Sequence, residues 1–182
     1  MPRIKPVDVD NPAALDAEQR RVYDALMNGP RGRVTGPFPV LLRLPEVCDC
    51  IQRLGAYLRF NSSLSGKLGE TAILITARYW DCHYEWSAHE PMARKEGAAD
   101  ATIAAIRAKK RPDDADAALM HDVIHALYQR HAIDDALYAK AVARLGEDGM
   151  LELAVLVGYY AMIGQVFATA EVLPAAGKVL AG

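Results

Sequence analysis

The stretch over residues 70–89, ETAILITARYWDCHYEWSAH, restricts the possible folds of this chain more than any other. Residues 71–79 are apolar enough for a buried helix, yet Glu70 stands at their head beside Leu68, Ala72 and Ile73. A carboxylate among such neighbours is costly to bury unless it is paired or protonated. After Asp81 the chain turns sharply to polar and titratable residues, and this is where chemistry is to be sought.

Asp81 reads as the N-cap of a second helix, because a short acceptor side chain takes up the free backbone N–H groups of a first turn. Cys82 then falls at the first helical position, and Cys82, Glu85 and His89 follow at i, i+3 and i+7. At 3.6 residues per turn these three share one face, which Glu70 reaches only through tertiary packing. Two chemistries remain open. A cysteine at a helix N-terminus is favoured as thiolate, although Asp81 and Glu85 oppose this with nearby negative charge. Two carboxylates and an imidazole, in turn, form a set suited to moving protons near neutral pH.

Glu70, Cys82 twelve residues later, Glu85 three further and His89 four further resemble the pattern of the alkylhydroperoxidase D and carboxymuconolactone decarboxylase superfamily. There a helical Glu precedes a Cys-x-x-Cys-x-x-x-His element. The local wording, CHYEWSAH followed by ARKEG, is closer to the decarboxylase side, and the resemblance runs from about residue 15 to 174. It implies an all-α, alkylhydroperoxidase D-like helical bundle that assembles as a homo-oligomer, a trimer or hexamer with shared active-site walls. It also implies catalytic roles for Glu70, Cys82, Glu85 and His89. The second cysteine of the peroxidase pattern is Glu85 here, so the implied activity is a cofactor-free decarboxylation or proton transfer on a small lactone or carboxylic acid. In that scheme His89 delivers the proton, Glu85 or Glu70 orients the ring, and Cys82 supports. The alternatives are a peroxiredoxin-like alkyl hydroperoxidase with Cys82 as redox thiol, and a helical oligomer without catalysis.

The rest of the chain fits one helical domain over residues 15–182 behind an N-terminal arm, residues 1–14, with prolines at 2, 6 and 12. With 182 residues it is long enough for one sizeable core, and 52% apolar residues with few β-branched runs favour helices. A net charge of −2 with mixed signs offers no footprint for nucleic acid or an anionic membrane. No signal-like N-terminus and no spanning apolar stretch of roughly 18 residues is evident, which points to the cytoplasm. Three cysteines do not form a secreted disulfide framework.

In order, Asp16 and Gln19 suggest a capping box for a helix ending near Asn28 and Gly29. The Gly- and Pro-rich segment 29–42 reads as a loop, in which Arg31 and Arg33 are candidates for a substrate carboxylate. A helix is expected over 45–60, where Cys48 and Cys50 point about 200° apart as structural thiols. Ser65 is a cap for the helix through Glu70, and Pro91 is expected to kink the following helix near His89 or to delay its start. A short helix over 102–108 and helices over 115–131, 134–145 and 147–169 complete the chain, the last with possible breaks at Gly158 or Gly164. Its near-uniform apolarity implies burial against another subunit. Trp86 is a further candidate to line a substrate pocket. His121 and His125, at i and i+4, lack the Glu of an HExxH pattern, and neither a metal nor a cofactor is assigned.

Overall fold

A computed structural model describes residues 2–64, 66–174 and 180. All regular structure among them is helical. Helix α1 (Ala17–Asn28) opens with the expected capping box: Asp16 Oδ1 accepts from the Gln19 N–H at 2.9 Å, and Gln19 Oε1 accepts from the Asp16 N–H at 3.2 Å. The following segment is not all loop. Phe38, Val40 and Leu41 are buried, and their burial folds Phe38–Leu41 into a one-turn helix, α2, with proline at its start, where a missing N–H does no harm. Helix α3 (Pro45–Phe60) has the expected bounds, with Cys48 buried and Cys50 exposed.

Helix α4 (Lys67–Tyr79) is the centre of the molecule, with every residue from Thr71 to Arg78 buried. It packs against α5 (His83–Lys95), α6 (Asp100–Arg107), α7 (Ala115–His125) and α8 (Asp135–Ala170). Ser65, the expected cap, lies outside the described residues; Gly66, at φ 73°, directly precedes the helix. Helix α5 starts at His83 and runs through Pro91 to Lys95. Helix α7 ends earlier than expected, passing into a π-helical turn over Ala126–Arg130 that His131 closes at φ 55°. The arm lies on the domain: the Arg3 and Val7 N–H groups donate to Ala170 O and Pro39 O, each at 2.8 Å.

Two corrections concern α8. Its helical path is interrupted at Gly146 (φ 74°, ψ 169°), between the two expected helices, and not at Gly158 or Gly164. It also contains an 18-residue window long and apolar enough by composition to cross a bilayer, contrary to the expectation from sequence. Half of that window is buried within the domain, as in the core helix of a globular bundle. Leu153, Leu156, Val157 and Ile163 face the core, while Leu151 and Val155 are exposed.

The Gly146 conformation is essentially restricted to glycine, and a Cβ there would meet no other atom within 4 Å. Gly146→Ala should therefore lower stability through backbone strain alone, by about 1–3 kcal/mol in a urea melt; an unchanged midpoint would contradict the break.

Candidate active site

Glu70 occupies the first turn of α4, and Glu85 and His89 lie one turn apart on α5. The packing of α4 on α5 supplies the contact that spacing alone leaves open. His89 Nδ1 lies 2.7 Å from Glu70 Oε2, and His89 Nε2 lies 3.1 Å from Glu85 Oε2. Both ring nitrogens thus face carboxylates. The Tyr160 ring of α8 stands edge-on to the imidazole, with centroids 5.2 Å apart, and both Glu85 and His89 are buried.

Burial disfavours the imidazolium, but hydrogen bonds and charge from Glu70 and Glu85 outweigh it and leave the His89 pKa raised. Folding therefore favours the protonated ring. The resulting stabilisation is fully present below the ordinary histidine value of about 6.5 and is lost as pH rises through the higher folded value.

Glu85 and His89 open onto a cavity of about 500 Å³. Arg31, Arg33 and Arg59 also line it, together with Tyr84, Tyr159 and Tyr160. No ion pair among the described residues involves any of these three arginines, and the Nε atoms of Arg31 and Arg59 are buried without a hydrogen-bond partner. Such a lining suits an anion, since guanidinium groups pair with carboxylates through charge-assisted hydrogen bonds.

Three sequence-predicted residues stand apart from this opening. Glu70 lies behind the imidazole and contacts the cavity only through it. Trp86, expected as a pocket wall, is absent from the cavity lining because one residue along a helix turns about 100° away from Glu85. Its indole N–H donates to Glu90 Oε2 at 2.8 Å, and the Arg107 guanidinium lies over its ring. Cys82 is the N-cap of α5, not its first helical residue. Asp81 cannot cap, because it turns the chain at φ 49° and pairs with Arg78 and Lys109. Cys82 is buried against α8 near Gly164 and does not line the cavity. Burial pushes its thiol up to about 11 although nearby backbone N–H groups act in the opposite sense, so it is protonated at neutral pH.

These helices can now be set beside known proteins. Residues 45–129 match the profile of the Carboxymuconolactone decarboxylase family. The matched segment contains Glu70, Cys82, Glu85, His89 and Arg59, whereas Arg31, Tyr159 and Tyr160 come from outside it. The fold is similar to that of an uncharacterized peroxidase-related protein from Ralstonia eutropha JMP134, described as an alkylhydroperoxidase AhpD core. The TM-score is 0.73 at 16% identity, over 97% of this chain and 95% of that one. An uncharacterized peroxidase-related protein from Silicibacter sp. TM1040 is similar at TM-score 0.71 and 17% identity, over 96% and 93% of the two chains. No curated protein matches the chain. The alkylhydroperoxidase D-like helical fold expected from the 70–89 pattern is thus the fold of this protein.

Arg59 is a lining residue that sequence reading passes over, because at the end of an amphipathic helix an arginine ordinarily reads as solvated. Tyr159 and Tyr160, which the sequence leaves between core packing and a pocket wall, both line the cavity. His121 and His125 stack with centroids 4.0 Å apart, away from the Glu70, Glu85 and His89 cluster. Among the described residues no group of three or more potential ligands is placed to hold a metal ion.

Two measurements check this geometry. NMR titration should place the His89 pKa above about 6.5, with Glu70→Gln and Glu85→Gln each bringing it down; a value at or below the ordinary one would refute the cluster. Iodoacetamide at pH 7.5 should label exposed Cys50 first, leaving Cys82 and Cys48 to react only with denaturant, as read by mass spectrometry.

Proposed function

We propose that the protein is a carboxymuconolactone decarboxylase-like enzyme that carries out cofactor-free decarboxylation or proton transfer on a small lactone or carboxylic acid. The observation carrying this reading is His89 held between Glu70 and Glu85 at the edge of an arginine-lined cavity. When a carbon–carbon bond to a carboxylate breaks and carbon dioxide leaves, the electron pair needs a sink, which a conjugated carbonyl of the substrate itself supplies. His89, held protonated, then delivers a proton to carbon, and solvent restores it. Glu70 fixes the ring through Nδ1, in the manner of an acid that orients a catalytic histidine. Arg31 and Arg33 hold the substrate carboxylate.

A peroxiredoxin-like alkyl hydroperoxidase would instead need Cys82 as thiolate within reach of a peroxide. The burial of that thiol and its absence from the lining favour the acid–base reading, with Cys82 as a packing residue. The cytoplasmic location and a homo-oligomeric state, as trimer or hexamer, belong to the same proposal. The outward Leu151 and Val155 of α8, with Leu54 and Tyr57 of α3, are the apolar surface that supports assembly.

His89→Ala and Glu85→Gln should each remove turnover by a factor of at least about 100, the scale of a lost general acid, while Cys82→Ser stays within a few-fold of the parent. The assay is carbon dioxide release from lactone acids, run beside hydroperoxide consumption. Loss of hydroperoxide consumption in Cys82→Ser, with a sulfenic acid trapped there, would transfer the chemistry to the thiol. Activity indifferent to all three substitutions would leave a non-catalytic oligomer.

A further inference from the structure

Helix α3 carries a glycine at position 55, well inside its length, where glycine is less favourable than alanine. The space around it explains why a side chain is missing. A Cβ on Gly55 would overlap the Tyr159 hydroxyl and would lie 2.6 Å from Arg31 Nη2. The guanidinium of Arg31 and the phenol of Tyr159 therefore meet directly over the bare backbone of α3. Arg59 follows four residues later, on the same face and one turn along. Among the described residues its one hydrogen bond runs from Nη2 to the Met92 thioether, at 3.1 Å, a weak acceptor, and its guanidinium lies over the Phe60 ring. Arg31 likewise lies over an aromatic ring, that of Phe38.

We propose that Gly55 and Arg59 are specificity-determining residues, which with Arg31 and Tyr159 form a carboxylate seat on the α3 side of the cavity. Two guanidinium groups brought into one half-buried space repel each other, and neither forms an ion pair among the described residues, although Glu85 across the cavity attracts Arg31. An anion placed between them relieves the repulsion through charge-assisted contacts. A neutral ligand of the same shape leaves the repulsion uncompensated and loses affinity accordingly. The seat orients an acid with its carboxylate toward α3 and the rest of the molecule toward His89. Gly55 acts through Arg31 and Tyr159, as a positioning residue.

This inference rests on the proposed acid substrate, but its test reads binding without turnover. Calorimetric titration of the full chain with benzoate, and with benzamide as the neutral isostere, should give benzoate at least about tenfold tighter binding. Arg59→Met and Gly55→Ala should each weaken benzoate by about tenfold and leave benzamide unchanged, and Arg59→Lys should recover part of the loss. His89→Ala should keep the benzoate preference. If that inactive variant keeps an Arg59-dependent preference, the seat stands whatever the chemistry proves to be. Equal binding of the two ligands, no saturable benzoate binding, or benzoate affinity indifferent to Arg59→Met would overturn the proposal, even in an active enzyme. Should Gly55→Ala fail to fold, Arg59→Met decides alone.

Discussion

The contact between the His89 ring and its two carboxylates is the constraint to which the rest of the structure answers. Three titratable groups are held where burial penalises charge, and each is tolerable only because the others are present. Removing one partner of a buried pair typically costs about 3–5 kcal/mol, far more than an exposed pair contributes. The α4–α5 packing is therefore set by chemistry as well as by apolar area. Glu70 can begin so apolar a helix because α5 brings the His89 imidazole to it, and α5 can bury Glu85 and His89 because α4 supplies the second acid.

Helical periodicity conveyed a good part of this arrangement. Asp16 and Gln19 announce α1, the bounds of α3 follow from its apolar stripe, and the Gly146 break falls between two separately readable helices. The pairing of Glu85 with His89 is local, at i and i+4, so spacing suffices for it. The contact from Glu70 is tertiary and became an expectation only through a family resemblance. What periodicity misplaces is register at a helix start. A left-handed Asp81, held by Arg78 and Lys109, moves Cys82 to the cap position and away from the cavity, and no propensity signals this because the partner lysine lies 28 residues away. Trp86 fails as a pocket residue for the simpler reason that its neighbour Glu85 already faces the opening.

The electrostatics of the cavity divide along the same lines. Acidic groups lie on the family-matched helices α4 and α5, close to the His89 imidazole, whereas the basic groups come from both the matched segment and the preceding loop. A ligand that enters thus meets positive charge at the loop and α3 and a protonated ring at α5. This polarity, with a Cys82 thiol that burial keeps protonated, supports the proposed acid–base reading in a fold shared with proteins described as peroxidase-related.

The most direct test of the account is where the protons lie on His89 in the resting protein. Neutron diffraction from a deuterium-exchanged crystal near pH 6.5 locates them without any substrate. Deuterium on both Nδ1 and Nε2, directed at Glu70 and Glu85, is the predicted result. A neutral ring with a bare nitrogen, or an imidazole turned away from either acid, would contradict it.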